Sequence, residues 1–353
     1  MRFLTAKDRS NRDFSRREVL KIGAAVGALA AFSCPASRAY PLLTAADEDA
    51  AWRKEPASGR TINIGFSEGL CIGTLGVAHE LGFYADEGLK TQLVRSNTTE
   101  IDALGTGKVD ASAAHIASML VPVANGIRAV FTAGVQTGCK SLYVLAASDI
   151  RSTRDLAKKT VAIPGGIGNA DHNIALRFFI ADHVDPLAIK YKVTDPGAAV
   201  MAMESGEIQG AILSDQFAKG FVDSGTLRIV RSITFDEDFK HEVCCVHAVS
   251  RDLYEQSPIT AARLTRAHER AKKWVTANPT ETVAMMLKNR WASGDPSLVR
   301  EMLLTYDFTV DAHTTERTIV RVIDDYKKLG ILNSRMDTEK LKNRLWDPMG
   351  VGV

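Results

Sequence analysis

The feature that most limits what this chain can fold into is a phrase that occurs twice. "ALGTGKVDASAAH" (Ala103 to His115) and "AMESGEIQGAILS" (Ala202 to Ser214) align at a constant offset of 99 residues, which sets His115 opposite Ser214. In each, a helix ends at a glycine, Gly107 or Gly206, and a charged residue, a β-branched residue and a short apolar strand follow. A second echo joins "TINIGFSEGL" to "KTVAIPGGIG", each a strand running into a glycine-containing loop before a helix. Two lobes of similar construction are the simplest account, with chance similarity of short phrases as the alternative. The intervening text agrees with it. "TINIGFS" alternates like a strand, "TLGVAHELGFYADEGL" reads as one amphipathic helix closing on Gly88, and "KTQLV" is a second strand. A helix over roughly 99–104 and strands at "GKVDASAAH" and "AVFTAGV" complete the pattern. Strands alternating with helices predict mainly parallel α/β sheets. After "HEVCCVHAVS" the chain turns helical, with helices predicted from Pro258 and at 296–305, 314–329 and 338–344. On the first of these, Arg263, Arg266, Arg270, Lys272 and Lys273 read as a solvated face.

The N-terminus carries an address. Paired Arg16 and Arg17, then Leu20 and Lys21, precede "IGAAVGALAAF", an apolar run of eleven residues. About 20 would be needed to span a bilayer, so the run reads as an export signal. The pair resembles a twin-arginine signal, with Val19 where that pattern usually has Phe. "SRA" (Ser37 to Ala39) is a small-x-small cleavage site, so residues 1–39 are expected to be removed by the export machinery. Lipidation at Cys34 is the alternative, on a poor lipobox of Phe32 and Ser33. Residues 1–39 hold eight of the 44 Lys and Arg and three of the 42 Asp and Glu, leaving 36 and 39, a net charge of −3. Nothing in that balance points to a nucleic-acid footprint. Residues 40–59 read as a polar leader to a mature chain of two domains' size.

In open parallel sheets, ligands collect beyond the C-terminal strand ends. The loops there are 67–73, the turn after Ala114, "QTGCK", "PGGIGNADH" and "LSDQ". The fourth opens a helix whose first N–H groups suit an anionic or polar ligand, or else it is a plain tight turn. It is neither a Walker loop, lacking Gly-Lys-Ser/Thr, nor a dinucleotide loop, since Asp171 stands where the third glycine should be. Asp215 is a candidate hydrogen-bond or cation partner, or the N-cap of the helix at "QFAKGF".

"AHELGFYADEGL", "GTGKVDASAAH", "VAIPGGIGNADHNIAL", "MESGEIQGAILSD" and "AVSRDLYEQSP" follow in this order across roughly 60–290. The series resembles the periplasmic binding proteins of nitrate, sulfonate, taurine and thiamine-precursor ABC importers. The resemblance implies a two-lobed, type II-like binding-protein fold with a ligand cleft between the lobes. Lobe 1 would comprise 60–147 plus 243–353 and lobe 2 would comprise 148–242. It implies a small-molecule ligand, partner permease and ATPase subunits, a periplasmic location, no cofactor and no catalysis. It also places Cys139 at the first crossing between lobes and Cys244 and Cys245 at the second. The implied pocket is Ser67, Cys71, His115, Cys139, Gly166, Asn169, His172, Ser214, Asp215 and Cys245. The same fold resembles the fungal pyrimidine synthases of thiamine biosynthesis, but their CCCFC run is absent from "HEVCCVH".

Three readings of the mature cysteines stay open. They are small core hydrophobes, a disulfide such as Cys71–Cys139, or a soft-metal site drawing on Cys71, His115, Cys139, Cys244 and Cys245. Strand alternation predicts that Cys244 and Cys245 face opposite ways, with His247 on the face of Cys245.

Overall fold

The structure is a computed structural model that describes residues 44–95 and 99–351. The twin-arginine pair, the cleavage site and Cys34 lie outside the described residues. The described residues form one compact unit.

Helix α1 (Ala45–Trp52) precedes β1 (Thr61–Phe66), α2 (Thr74–Glu80), α3 (Phe83–Asp86) and β2 (Lys90–Arg95). Then come α4 (Glu100–Gly105), β3 (Ala111–His115), α5 (Ile116–Ala124) and β4 (Ala129–Thr137). The chain crosses at Gly138 and Cys139 into β5 (Lys140–Leu145), β6 (Thr160–Ala162), α6 (Ala170–Ala181), β7 (Lys190–Lys192) and α7 (Pro196–Glu204). Next are β8 (Gly210–Ser214), α8 (Asp215–Asp223) and β9 (Leu227–Ser232). Residues 233–242 return it to β10 (Val243–Ser250). Helices α9 (Arg251–Gln256), α10 (Pro258–Ala277), α11 (Pro279–Lys288), α12 (Pro296–Leu303), α13 (Ala312–Lys328) and α14 (Thr338–Leu345) finish it.

The sheets have orders β2-β1-β3-β10-β4 and β7-β6-β8-β5-β9. Both are five-stranded, and each receives as its fourth strand one that has just crossed from the other lobe. The repeated phrases become α4–β3 and α7–β8, and β3 and β8 hold the same third place. The sheets are mixed rather than mainly parallel. β1 pairs in parallel with β2 and β3, but β10 runs antiparallel to β3 and β4, and β5 antiparallel to β8 and β9. A strand that enters from the opposite lobe runs against its hosts, which local alternation cannot reveal.

Two other expectations need correction. The single helix read across "TLGVAHELGFYADEGL" is two short helices, because Gly82 at φ 74° breaks it between α2 and α3. Nor is the basic face of α10 solvated throughout. Helix α1, within the segment read as a polar leader, packs on α10: Arg263 bonds Glu48 and Asp49 and stacks on Trp52, and Arg266 pairs with Glu48 and Glu87. Arg270, exposed, pairs with Asp86, and Lys272, 1% exposed, reaches Glu269 and the Val310 carbonyl; Lys273 is exposed as well. Glu55 completes the dock by accepting from the N–H groups of Ile259 and Thr260, where the start of α10 favours negative charge.

The lobes meet on both flanks of the cleft. Asn173 of α6 donates to the Ala117 carbonyl of α5 at 2.7 Å, and Arg177 bridges Glu242 and Asp325 of α13 at 2.8 and 2.9 Å. Opposite, Gln216 reaches the Ser293 carbonyl at 3.0 Å and Lys219 pairs with Glu301 of α12.

Candidate functional site

β10 carries three register shifts against β4, two of them on either side of Cys245, between Val243 and Cys245 and between Cys245 and Val246, and the third between His247 and Ala248. Cys244 is the extra residue, with no Cα partner on either neighbouring strand. The bulge breaks the alternation predicted for the pair. Val243 packs into the core under α13 and α14, whereas Cys244 and Cys245 both join the core on the other face, their sulfurs 3.7 Å apart.

Cys139 arrives from the other side by a different device. Its φ is 135°, in the region that favours glycine, and it follows Gly138 at φ 77°. Its N–H donates to Thr234 Oγ1 at 2.9 Å and its carbonyl accepts from Asp215 N–H at 2.9 Å. Asp215 closes the loop by accepting from Thr234 Oγ1 and from Tyr143 OH, the latter at 2.6 Å. Thus Ser214, not Asp215, caps α8, and Asp215 is a buried anchor of the crossing. Burial raises its pKa, against the hydrogen bonds from Thr234 and Tyr143.

So held, Cys139 Sγ lies 2.7 Å from Cys244 Sγ, and Cys71 interacts with Cys139 and Cys245. All four thiols are free, and the close neighbour of Cys139 is Cys244, so the pairing given as an example of the disulfide reading, Cys71–Cys139, is not the one the structure brings closest. Three separate stretches of chain deliver four sulfurs to one place. Cys139, Cys244 and Cys245 are at most 5% exposed, and Cys71 is half-buried. Burial pushes the Cys139 and Cys244 thiols up; hydrogen bonds from Cys139, Cys244 and Cys71 draw Cys245 down.

His115 is the Cα partner of Cys245 on β3, and Gln136 is its partner on β4. Directly paired residues share a sheet face, so the His115 imidazole and the Cys245 thiol lie side by side, whereas the β4 pairing falls at the bulge, where the register shifts on both sides of Cys245. His115 Nε2 and both amide atoms of Gln136 are buried with no hydrogen-bond partner among the described residues. His115 Nδ1 accepts from Ala117 N–H at 3.1 Å, so the imidazole caps α5. A backbone N–H can only donate. The neutral ring therefore carries its proton on Nε2, as a donor. Burial lowers the His115 pKa to about 4, against the Cys245 charge, which raises it.

The glycine loop differs from expectation. The N–H groups of Gly165, Gly166, Gly168, Asn169 and Ala170 donate to Asp171, Ile163, His172, Gly166 and Asn169, all within the turn. Asn169 is the N-cap of α6, and His172 lies edge-on to Tyr191. Lys140 reaches Asp171 at 2.7 Å; burial opposes its charge, but Asp171 and Cys139 outweigh that and hold its pKa above the ordinary value. Ser214 faces a side groove of about 430 Å³ with Glu68, Gln216 and Trp291. A groove of about 950 Å³ lies between α6 and α13, and no cysteine lines it.

Among the expected site residues, then, Cys71, His115, Cys139, Cys244 and Cys245 come together, with Gln136 and Lys140 as unforeseen neighbours. "QTGCK" marks both positions, but nothing in it tells which side chain turns inward.

Residues 55–288 match the NMT1-like family. The chain belongs to that family. This NMT1-like protein also matches solved structures of the periplasmic binding-protein fold. The alkanesulfonate-binding protein SsuA from Xanthomonas axonopodis pv. citri is 16% identical, with TM-score 0.65, covering 83% of this chain and 99% of that one. The aliphatic sulphonate-binding protein SsuA from Escherichia coli is 17% identical, with TM-score 0.66, covering 82% and 93%. The nitrate-binding protein NrtA from Synechocystis PCC 6803 is 15% identical, with TM-score 0.65, covering 83% and 86%. No curated protein sequence matches the chain significantly.

Proposed function

We propose that this NMT1-like chain is the exported solute-binding component of an ABC importer. A small solute enters between the lobes, the lobes close on it, and the closed form delivers it to a membrane permease powered by an ATPase. Residues 1–39 direct export through the twin-arginine machinery, and the mature chain works in the periplasm. Sulfonates and nitrate, which the similar structures are named for binding, set the first class of solute to try: small sulfur- or nitrogen-containing molecules and oxyanions.

The observation that carries this reading is the double crossing. Two chain segments, at 138–139 and 233–242, join two like sheets, and buried unmatched polar groups sit where the crossings meet. A ligand that touches both lobes is what shifts an open–closed balance, because only differential affinity can do so. The test is titration with a panel of alkanesulfonates, nitrate, pyrimidine amines and metal ions, read by calorimetry and small-angle scattering. One solute bound per chain with a fall in radius of gyration is expected. Binding without compaction by every member of the panel would overturn the reading.

A further inference from the structure

The geometry points to the sulfur cluster as a binding site for one soft d10 metal ion, Cu(I) or Zn(II), held by Cys139, Cys244 and Cys245 with Cys71 as the more exposed fourth donor. As an account of the cargo it rests on the importer reading; as a site it stands on the arrangement of the residues.

Four observations converge. The sulfurs come from three remote stretches and meet in a space where His115, Cys139 and Cys244 present ligand atoms within 4.8 Å of one another. In tetrahedral thiolate coordination, metal–sulfur bonds of about 2.3 Å put neighbouring sulfurs about 3.8 Å apart. The Cys244–Cys245 separation of 3.7 Å already matches that spacing. The 2.7 Å Cys139–Cys244 pair would open by about 1 Å to do so. Second, two local irregularities bring the sulfurs together: the bulge that turns Cys244 to the side of Cys245, and the positive φ of Cys139, where glycine would be unstrained.

Third, an unmatched donor suits charged sulfur. His115 Nε2–H lies on the face of Cys245 and has no acceptor among the described residues. A metal thiolate centre would give it one, as an outer donor that orients and helps neutralise the centre. His115 is therefore assigned to donation rather than ligation, since its Nδ1 lone pair is engaged by Ala117 N–H. Fourth, the site is poorly fitted to a free oxyanion. The nearby glycine-loop donors are spent inside their own turn, and Lys140 is engaged by Asp171. Thiolate donors select soft d10 ions over hard ones. On binding, each ligating thiol gives up its proton to solvent, so binding releases protons and strengthens as pH rises.

The test uses the full chain, reduced and handled without oxygen. Cu(I) is titrated against bicinchoninate and Zn(II) against a chromophoric chelator, with native mass spectrometry for stoichiometry. One ion per chain is expected, with affinity falling at least 100-fold in Cys245→Ser and Cys139→Ser. Those variants could simply fail to fold, so the unaltered chain is also alkylated with iodoacetamide with and without metal. Protection of Cys139, Cys244 and Cys245 supports the site. No retained ion, unchanged alkylation, or a Cys139–Cys244 disulfide in chain recovered from its own periplasm overturns it. Preference for Cu(I) or for Zn(II) names the ion, and either supports the site. If a metal binds without lobe closure, the site stands and the importer reading falls. If an organic solute closes the lobes and no metal binds, the reverse holds.

Discussion

His115 closes β3 and caps α5; Ser214 closes β8 and caps α8, at the equivalent place in the second copy of the phrase. The backbone task is the same, yet the two caps have different reach. A hydroxyl spends itself on the Phe217 N–H, and the next residue, Asp215, is locked by Tyr143 and Thr234. An imidazole is two-ended: Nδ1 serves the helix and Nε2 is left in the cleft. One lobe thus uses the strand end to brace the crossing, and the other uses it to present a donor to the sulfurs. A repeated fold element can keep its capping chemistry while one copy takes on a second role, provided the residue has an atom to spare.

The largest effect that tests this contrast lies on the bracing side. Asp215→Ala leaves Tyr143 OH and Thr234 Oγ1 buried without their acceptor and loosens Cys139. A loss of roughly 3–5 kcal/mol in urea unfolding is expected, with cleft binding abolished. A cost under about 1 kcal/mol would mean the anchor is idle. On the presenting side, His115→Ser copies the other lobe's cap. Stability should stay within about 1 kcal/mol, because Ser is also a good N-cap. Metal affinity should fall about 10- to 100-fold, as for loss of an outer hydrogen bond to a ligand. Equal affinity in chelator competition would dissolve the contrast. Ser214→Ala should cost about 1 kcal/mol and leave binding alone.

The smallest effect is a pH slope. His115 is held neutral, its pKa lowered by burial to about 4 from an ordinary 6.5. The unfolded chain therefore binds that proton first as pH falls, so this contribution is complete above about pH 6.5 and drains away toward pH 4. His115→Ser should flatten the fall of unfolding free energy over that range by up to about one proton, whereas Ser214→Ala should not. Identical slopes in both variants would put the acid sensitivity elsewhere, with His247 the next candidate, since burial lowers its pKa to about 3.

Much of the fold was legible because it is local. Helix caps, strand patterns and the 99-residue offset are written within short windows, and those windows predicted α4, β3, β8, α10, α12, α13 and α14 close to where they lie. The candidate site was legible only as a set of residue types. "HEVCCVH" announced two cysteines but not that a bulge would turn both the same way, because register is settled by β3 and β4, which lie more than a hundred residues away in sequence. Gln136 was overlooked for a related reason: a glutamine in a strand is ordinary until its neighbours bury it.

By itself, the sequence determined two α/β lobes, the strand-to-helix joints at their ligand-facing ends and the supply of thiols and imidazole, since each follows from local patterning and composition. Only the tertiary structure decided that β10 and β5 would run against their hosts, that α1 would neutralise the basic face of α10, and that four sulfurs would share one buried space. Those outcomes depend on strands exchanged between lobes, on a bulge and on one positive φ. All three are set by packing between segments far apart in the chain, where no local pattern can record them.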